Sequence, residues 1–175
     1  MQRLSYTRLA CGVVLATLLA CAGGGEQSLD DVRALQDSGA YAETLAPLRA
    51  LLEREPNHAE ANYRLGLALV NTGRSSAAVF PLKRAATDDT MARQAGLLLA
   101  STFMQMRNFE EAVAAADGVL QRDPENEAAL LVRTQAALSA NDAAAALTSA
   151  ERLVALQPAD PGYQSLQAGA LMSLG

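Results

Sequence analysis

A chain of 175 residues is long enough for one domain of ordinary size. Half of it is hydrophobic, yet aromatics make up only 4% and Trp is absent. The apolar mass is therefore Ala and Leu, strong helix formers, and little remains from which to build a strand. A formal net charge of −5 argues against a phosphate backbone as partner.

Residues 1–20 stand apart. Arg3 and Arg8 give a positive start, and the apolar run over 9–20 is too short to span a bilayer comfortably. This is the pattern of a secretory signal. It ends Leu18-Leu19-Ala20-Cys21, which resembles a bacterial lipobox, and that resemblance implies lipid attachment at Cys21. The competing reading takes Ala20-Cys21-Ala22 as an ordinary A-x-A cleavage site, releasing a soluble periplasmic protein. Cleavage removes Arg3 and Arg8, two positive charges, and so moves the net charge from −5 to −7. Of the 2 cysteines, Cys11 falls in the removed segment and Cys21 at its edge. The exported part then has neither a disulfide nor a thiolate zinc site. Residues 21–28 read as a tether rich in Gly, with a reach of roughly 20–25 Å at about 3.3 Å per residue. Similarity to other lipoproteins, with Ala22 after the Cys, implies the outer membrane of a Gram-negative cell.

Helical periodicity begins at residue 29. A short helix over 29–38 uses Leu29, Val32 and Leu35 and ends at Gly39; a second over 41–55 turns Leu45, Leu48, Leu51 and Leu52 inward. Further helices are expected over 59–71 and 75–87. Ser75 and Ser76 signal the start of the latter, and Pro81 inside it should remove a hydrogen bond and kink it. In the next pair Leu99, Ala100 and Phe103 share one face, and Asn108 with Glu111 suggests a capping box. Helices over 127–140 and 142–156 follow. A last one over 162–174 is fairly apolar through Leu166, Ala170, Leu171, Met172 and Leu174, softened by Gln164 and Gln167. Either it caps the array adequately or a partner covers it.

Two sets of punctuation recur every 34 residues. Pro56, Pro124 and Pro158 share one ladder, with Thr90 on the missing rung; Gly39, Gly73, Arg107, Asn141 and Gly175 form the other. Gly and Asn tolerate the left-handed conformation that ends a helix. Leu65-Gly66 and Leu99-Ala100 occupy the seventh and eighth places of their units. Ala78, Ala112 and Ala146 hold the twentieth, and Ala85 and Val119 the twenty-seventh. This pattern resembles the tetratricopeptide repeat over about residues 28–175. Asp31-Val32 and Arg133-Thr134 depart from it at the seventh and eighth places of the outer units.

The resemblance implies an all-α, right-handed solenoid of about four helix pairs (29–58, 59–92, 93–126, 127–160) plus a closing helix over 161–175. Small residues at the twentieth place would let helices approach, so a bulky residue at Ala112 should overpack by roughly 1–3 kcal/mol. It also implies a concave groove lined by the first helices. In this chain that groove maps onto Glu60, Tyr63, Leu67, Val70 and Asn71, then Gln94, Leu97, Ser101, Met104 and Gln105, then Leu131, Gln135, Leu138 and Ser139. The Lys and Asn residues of the family's carboxylate clamp are absent, since Tyr63 and Leu67 stand in their places. Such a groove suits an apolar helix or an extended peptide. The alternative is that several of these side chains only pack between neighbouring helices.

No catalytic constellation appears. His58 is the only His and reads as a solvated loop residue without metal-binding neighbours. Asp88-Asp89 lacks the spaced ligands of a calcium loop, Ser75-Ser76 lacks a nucleophile-elbow context, and the glycines at 23–25 form no phosphate cradle. The reading is a non-enzymatic module without cofactor, metal or small-molecule substrate. It is either a lipid-anchored scaffold for protein or peptide partners, or a soluble periplasmic binding module or chaperone. Related lipoproteins serve pilus or secretion-machine assembly, outer-membrane barrel insertion or recruitment of cell-wall enzymes.

Overall fold

A computed structural model describes residues 28–175. The leader at 1–20, Cys21 and the tether up to residue 27 lie outside the described residues. Among those described there are nine α-helices and no strand: α1 (Leu29–Asp37), α2 (Tyr41–Arg54), α3 (Ala59–Asn71), α4 (Ser75–Ala85), α5 (Ala92–Gln105), α6 (Phe109–Leu120), α7 (Glu127–Ser139), α8 (Ala143–Leu156) and α9 (Pro161–Leu174). Each helix packs on the next, and first helices also touch across units, α3 on α5, α5 on α7 and α7 on α9. This is an all-α solenoid of four helix pairs with a closing helix.

The turn within each pair is one motif used four times. Gly39, Gly73, Arg107 and Asn141 have φ of +83°, +73°, +60° and +63°. After each, the next amide closes a hydrogen bond to the carbonyl five residues back. These run from Ala40 to Leu35 (2.8 Å), Arg74 to Leu69 (2.7 Å), Asn108 to Phe103 (2.9 Å) and Asp142 to Ala137 (2.9 Å). Such bonds satisfy carbonyls that the end of a helix leaves unpaired. Three rungs carry Gly or Asn, the residues that bear this conformation most cheaply; Arg107 adopts it without that advantage.

Burial repeats with the same step. Ala68, Thr102, Ala136 and Ala170 on the first helices are fully buried, as are Thr44, Ala78, Ala112 and Ala146, and Leu48, Leu82, Ala116 and Ala150, on the second. Large and small residues alternate where these faces meet. A Cβ at Gly66 would lie 2.4 Å from Leu82 Cδ2, and one at Gly96 2.5 Å from Val119 Cγ2. Position eight of the outer units keeps the register despite its changed chemistry: Val32 is buried, and Thr134 Oγ1 donates to Ser149 Oγ at 2.9 Å.

Several details differ from expectation. α4 runs as one helix through Pro81 and stops at Ala85, and α2 likewise contains Pro47, 34 residues earlier. Each ring removes one amide donor near the second turn, a loss that the helix bridges without interruption. The missing proline at Thr90 is replaced by a turn in which Asp88 Oδ1 accepts from the Thr90 hydroxyl (2.5 Å), the Thr90 amide (2.9 Å) and the Met91 amide (3.3 Å). The Thr90 bonds hold the Asp88 carboxyl below the usual carboxylate range. His58 is half-buried, and its Nδ1 accepts from the Ala61 amide at 3.3 Å as the cap of α3. The Asn108–Glu111 capping box does not form, because the Asn108 side chain makes no cap hydrogen bond. Glu110 and Glu111 instead place negative charge at the positive end of α6. The box forms at Ser28 and Asp31, at the start of α1.

On α9, Leu171 is 53% and Met172 78% exposed. Leu171 stands in the register of Leu69 and Phe103, both buried in one core cluster.

Candidate functional site

The fourteen groove positions all fall on α3, α5 and α7, the first helices of the central units. None is fully buried. Their apolar members do two jobs at once. Tyr63, Val70 and Met104 pack against one core cluster, Leu97 and Leu131 against a second, and Leu138 against a third, yet each keeps part of its surface open. Leu67 is half-buried and belongs to no such cluster. Asn71, Gln94, Gln105, Gln135 and Ser139 are exposed around them. The Asn71 amide donates to the Leu67 carbonyl (2.9 Å), the Ser101 hydroxyl to Leu98 (2.9 Å) and the Ser139 hydroxyl to Gln135 (2.8 Å). α3 touches α5 and α5 touches α7, so the helices that carry these positions lie side by side. Together these positions offer partly open apolar surface beside amide donors and acceptors.

Glu60 is the exception. Its carboxylate is clasped by Arg33 of α1, with Nε at 2.8 Å and Nη2 at 2.6 Å, and by Arg64 Nε at 2.7 Å. The Arg33 hydrogen bond, reinforced by Arg64, pulls its pKa down to about 2. Arg64 in turn donates to Gln36 Oε1 (3.1 Å), and buried Gln36 donates to Thr44 Oγ1 (3.3 Å) and the Arg64 carbonyl (3.0 Å). Glu60 therefore locks α1 onto α3. Arg64 lies one helical turn away on α3, but Arg33 lies 27 residues away in sequence, where no local pattern points to it. At the far end the Tyr163 hydroxyl donates to Glu127, tying α9 to α7 and raising the phenol to about 12.

Among the described residues no group of three or more His, Cys, Asp or Glu side chains gathers to hold a metal. None of the described helices is long and apolar enough to cross a membrane. Cys21, the expected lipid attachment point, lies outside the described residues.

The fold is shared with solved structures. The crystal structure of MamA protein matches with a TM-score of 0.68 at 17% identity, over 83% of this chain and 85% of that one. MamA 41-end from Desulfovibrio magneticus RS-1 matches with a TM-score of 0.68 at 18% identity, over 87% and 93%. A tetratricopeptide repeat protein from Parabacteroides merdae ATCC 43184 matches with a TM-score of 0.72 at 17% identity, over 84% of this chain and 59% of that one. At such identities the likeness speaks for architecture alone. No curated protein matches the chain. A family model described as tetratricopeptide repeat matches residues 29–92 and 97–163, most of the solenoid. The unit length, the recurring left-handed turns and this match together place the chain in the tetratricopeptide repeat family.

Proposed function

We propose that the protein is a scaffold that docks protein partners along its first helices and is held at the bacterial cell envelope by a lipid on Cys21. The observation that carries the docking is that the adjacent helices α3, α5 and α7 hold half-buried Leu67, Leu97, Met104 and Leu131 together with exposed amides. A side chain that is half-packed is already ordered, so a partner that covers the rest meets little additional entropy cost. The family is in general one of non-enzymatic scaffolds, which agrees with this reading. Crosslinking in the native cell, repeated with Leu67→Asp and Met104→Asp together, is the test. The captured partner should be lost while helicity by circular dichroism is kept; capture at the original level by a folded variant removes the groove from the proposal.

The anchor rests on the lipobox-like run before Cys21 and on the short Gly-rich stretch that follows. It places the domain on the periplasmic face of the outer membrane, in the assembly of an envelope complex. Labelling with palmitate should mark the protein and vanish with Cys21→Ser. If the wild-type chain takes no label, Ala20-Cys21-Ala22 is an ordinary cleavage site and the protein is a soluble periplasmic binding module or chaperone.

A further inference from the structure

The second helices carry a groove that the row on the first helices does not use. Between α2 and α4, above the start of α3, lies a cavity of about 310 Å³. Its walls include Arg49, Leu52, Glu53, Leu65, Phe80 and Arg84, and none of the fourteen positions on the first helices. Phe80 is 68% exposed, an unusual place for a large ring in a chain with so few aromatics. The Arg84 guanidinium sits 5.5 Å from the centre of that ring and also donates to Asn57 Oδ1. Among the described residues neither Arg49 nor Arg84 forms an ion pair with a carboxylate. Glu53 is the only acidic wall, so this pocket carries one net positive charge in a chain of net charge −5.

The repeat supplies an internal control. Two units further on, 68 residues along, the corresponding groove between α6 and α8 encloses about 300 Å³. There Asp117 stands in the place of Arg49, Arg133 in that of Leu65 and Thr148 in that of Phe80, while Arg152 keeps the place of Arg84. Asp117 accepts from Arg133 Nε at 2.7 Å, and that arginine also donates to the Ala145 carbonyl at 2.7 Å. The later groove holds the same net charge, but one of its two cations is paired with its carboxylate, and it exposes no aromatic ring. The earlier one pairs neither of its cations with a carboxylate and leaves its ring exposed, in the same backbone frame.

We infer that the α2–α4 groove is a second docking site, for an extended protein segment bearing a carboxylate side chain beside a Phe, Leu or Ile. The apolar side chain covers Phe80 and enters between Leu52 and Leu65, and the carboxylate takes the guanidiniums of Arg84 and Arg49. The cavity has room for one or two side chains, not for a flat surface. The acidic charge of the whole chain also opposes an anionic membrane as occupant.

The test is fluorescence anisotropy of the purified protein with a panel of labelled octapeptides that place Asp or Glu on either side of Phe, Leu or Ile. Saturable binding is expected, weakened at least about ten-fold by Lys for the acids, by Ala for the apolar residue, and by Phe80→Ala or Arg84→Glu in the protein. Arg84→Lys, which keeps the charge but not the planar fork, should fall between. Arg152→Glu, the same change in the later groove, should leave binding unchanged. Circular dichroism establishes that each variant is folded. The inference fails if no peptide of the panel saturates, or if folded Phe80→Ala and Arg84→Glu bind as wild type. It fails equally if Arg152→Glu weakens binding as much as Arg84→Glu. Self-association in sedimentation that Arg84→Glu abolishes would assign the groove to a second copy, and Arg84-dependent co-sedimentation with phosphatidylglycerol vesicles would assign it to lipid; either result overturns it.

Discussion

Gly66 and Gly118 both lie inside helices, and only their neighbours distinguish them. A Cβ at Gly66 would meet Leu82, which is fully buried and has nowhere to retreat, whereas nothing lies within 4 Å of a Cβ at Gly118. Gly66→Ala should therefore destabilise by about 1–3 kcal/mol, the overpacking outweighing the gain in helix propensity. Gly118→Ala should stabilise by about 0.5–1 kcal/mol. Urea denaturation of the two variants reads both signs. Arg107 offers a second comparison at this scale. It holds φ +60° where the equivalent rungs have Gly or Asn, so Arg107→Gly should stabilise by about 1 kcal/mol in the same assay, and Asn141→Gly by less. The places of these left-handed turns were legible in the sequence because a steric rule acts on the residue itself. The crowding at Gly66 was not, since it depends on where Leu82 comes to rest.

Between elements, the clasp on Glu60 holds α1, a helix of only 9 residues. Its pKa, about 2, lies below that of an unfolded glutamate, so its contribution is complete above about pH 4.5 and is lost as pH falls toward 2. Discounted for the 41% exposure of the Arg33 side chain, that contribution is about 1–2 kcal/mol. Hydrogen exchange should show α1 losing protection between pH 4.5 and 3 ahead of α3, and Glu60→Gln should remove the difference. Leu82→Ala, at the α3–α4 contact opposite Gly66, should cost about 2–5 kcal/mol in urea denaturation. The helices themselves could be read from periodicity, to within about two residues at their ends. Their side-chain linkages could not: register alone puts Glu60 in the groove, His58 reads as solvated yet caps α3, and Asn108 reads as a cap it does not form. For Glu60 the deciding partner, Arg33, comes from another unit, which neighbouring residues do not report.

Across the whole molecule, contacts run between successive helices and between successive first helices. Stability in such an array is close to a sum of neighbour terms. Removing residues 161–175 should thus lower the protection of α7 and α8 while leaving α1 and α2 close to wild type in hydrogen exchange. Uniform loss along the chain would instead mean a single cooperative core.

The sequence by itself determined the class, the period and the solenoid, because a 34-residue step of turn formers and small residues leaves helix pairs no other way to bury their apolar faces. It also determined which residues stand on the first helices. Only the tertiary structure decided which of them remain open, that Glu60 is already engaged, and that between α2 and α4 Phe80 stands exposed beside an Arg84 with no carboxylate partner. Periodic steric rules act along the chain and survive in its order; charge pairing and exposure arise between units, where distance in space has little to do with distance in sequence.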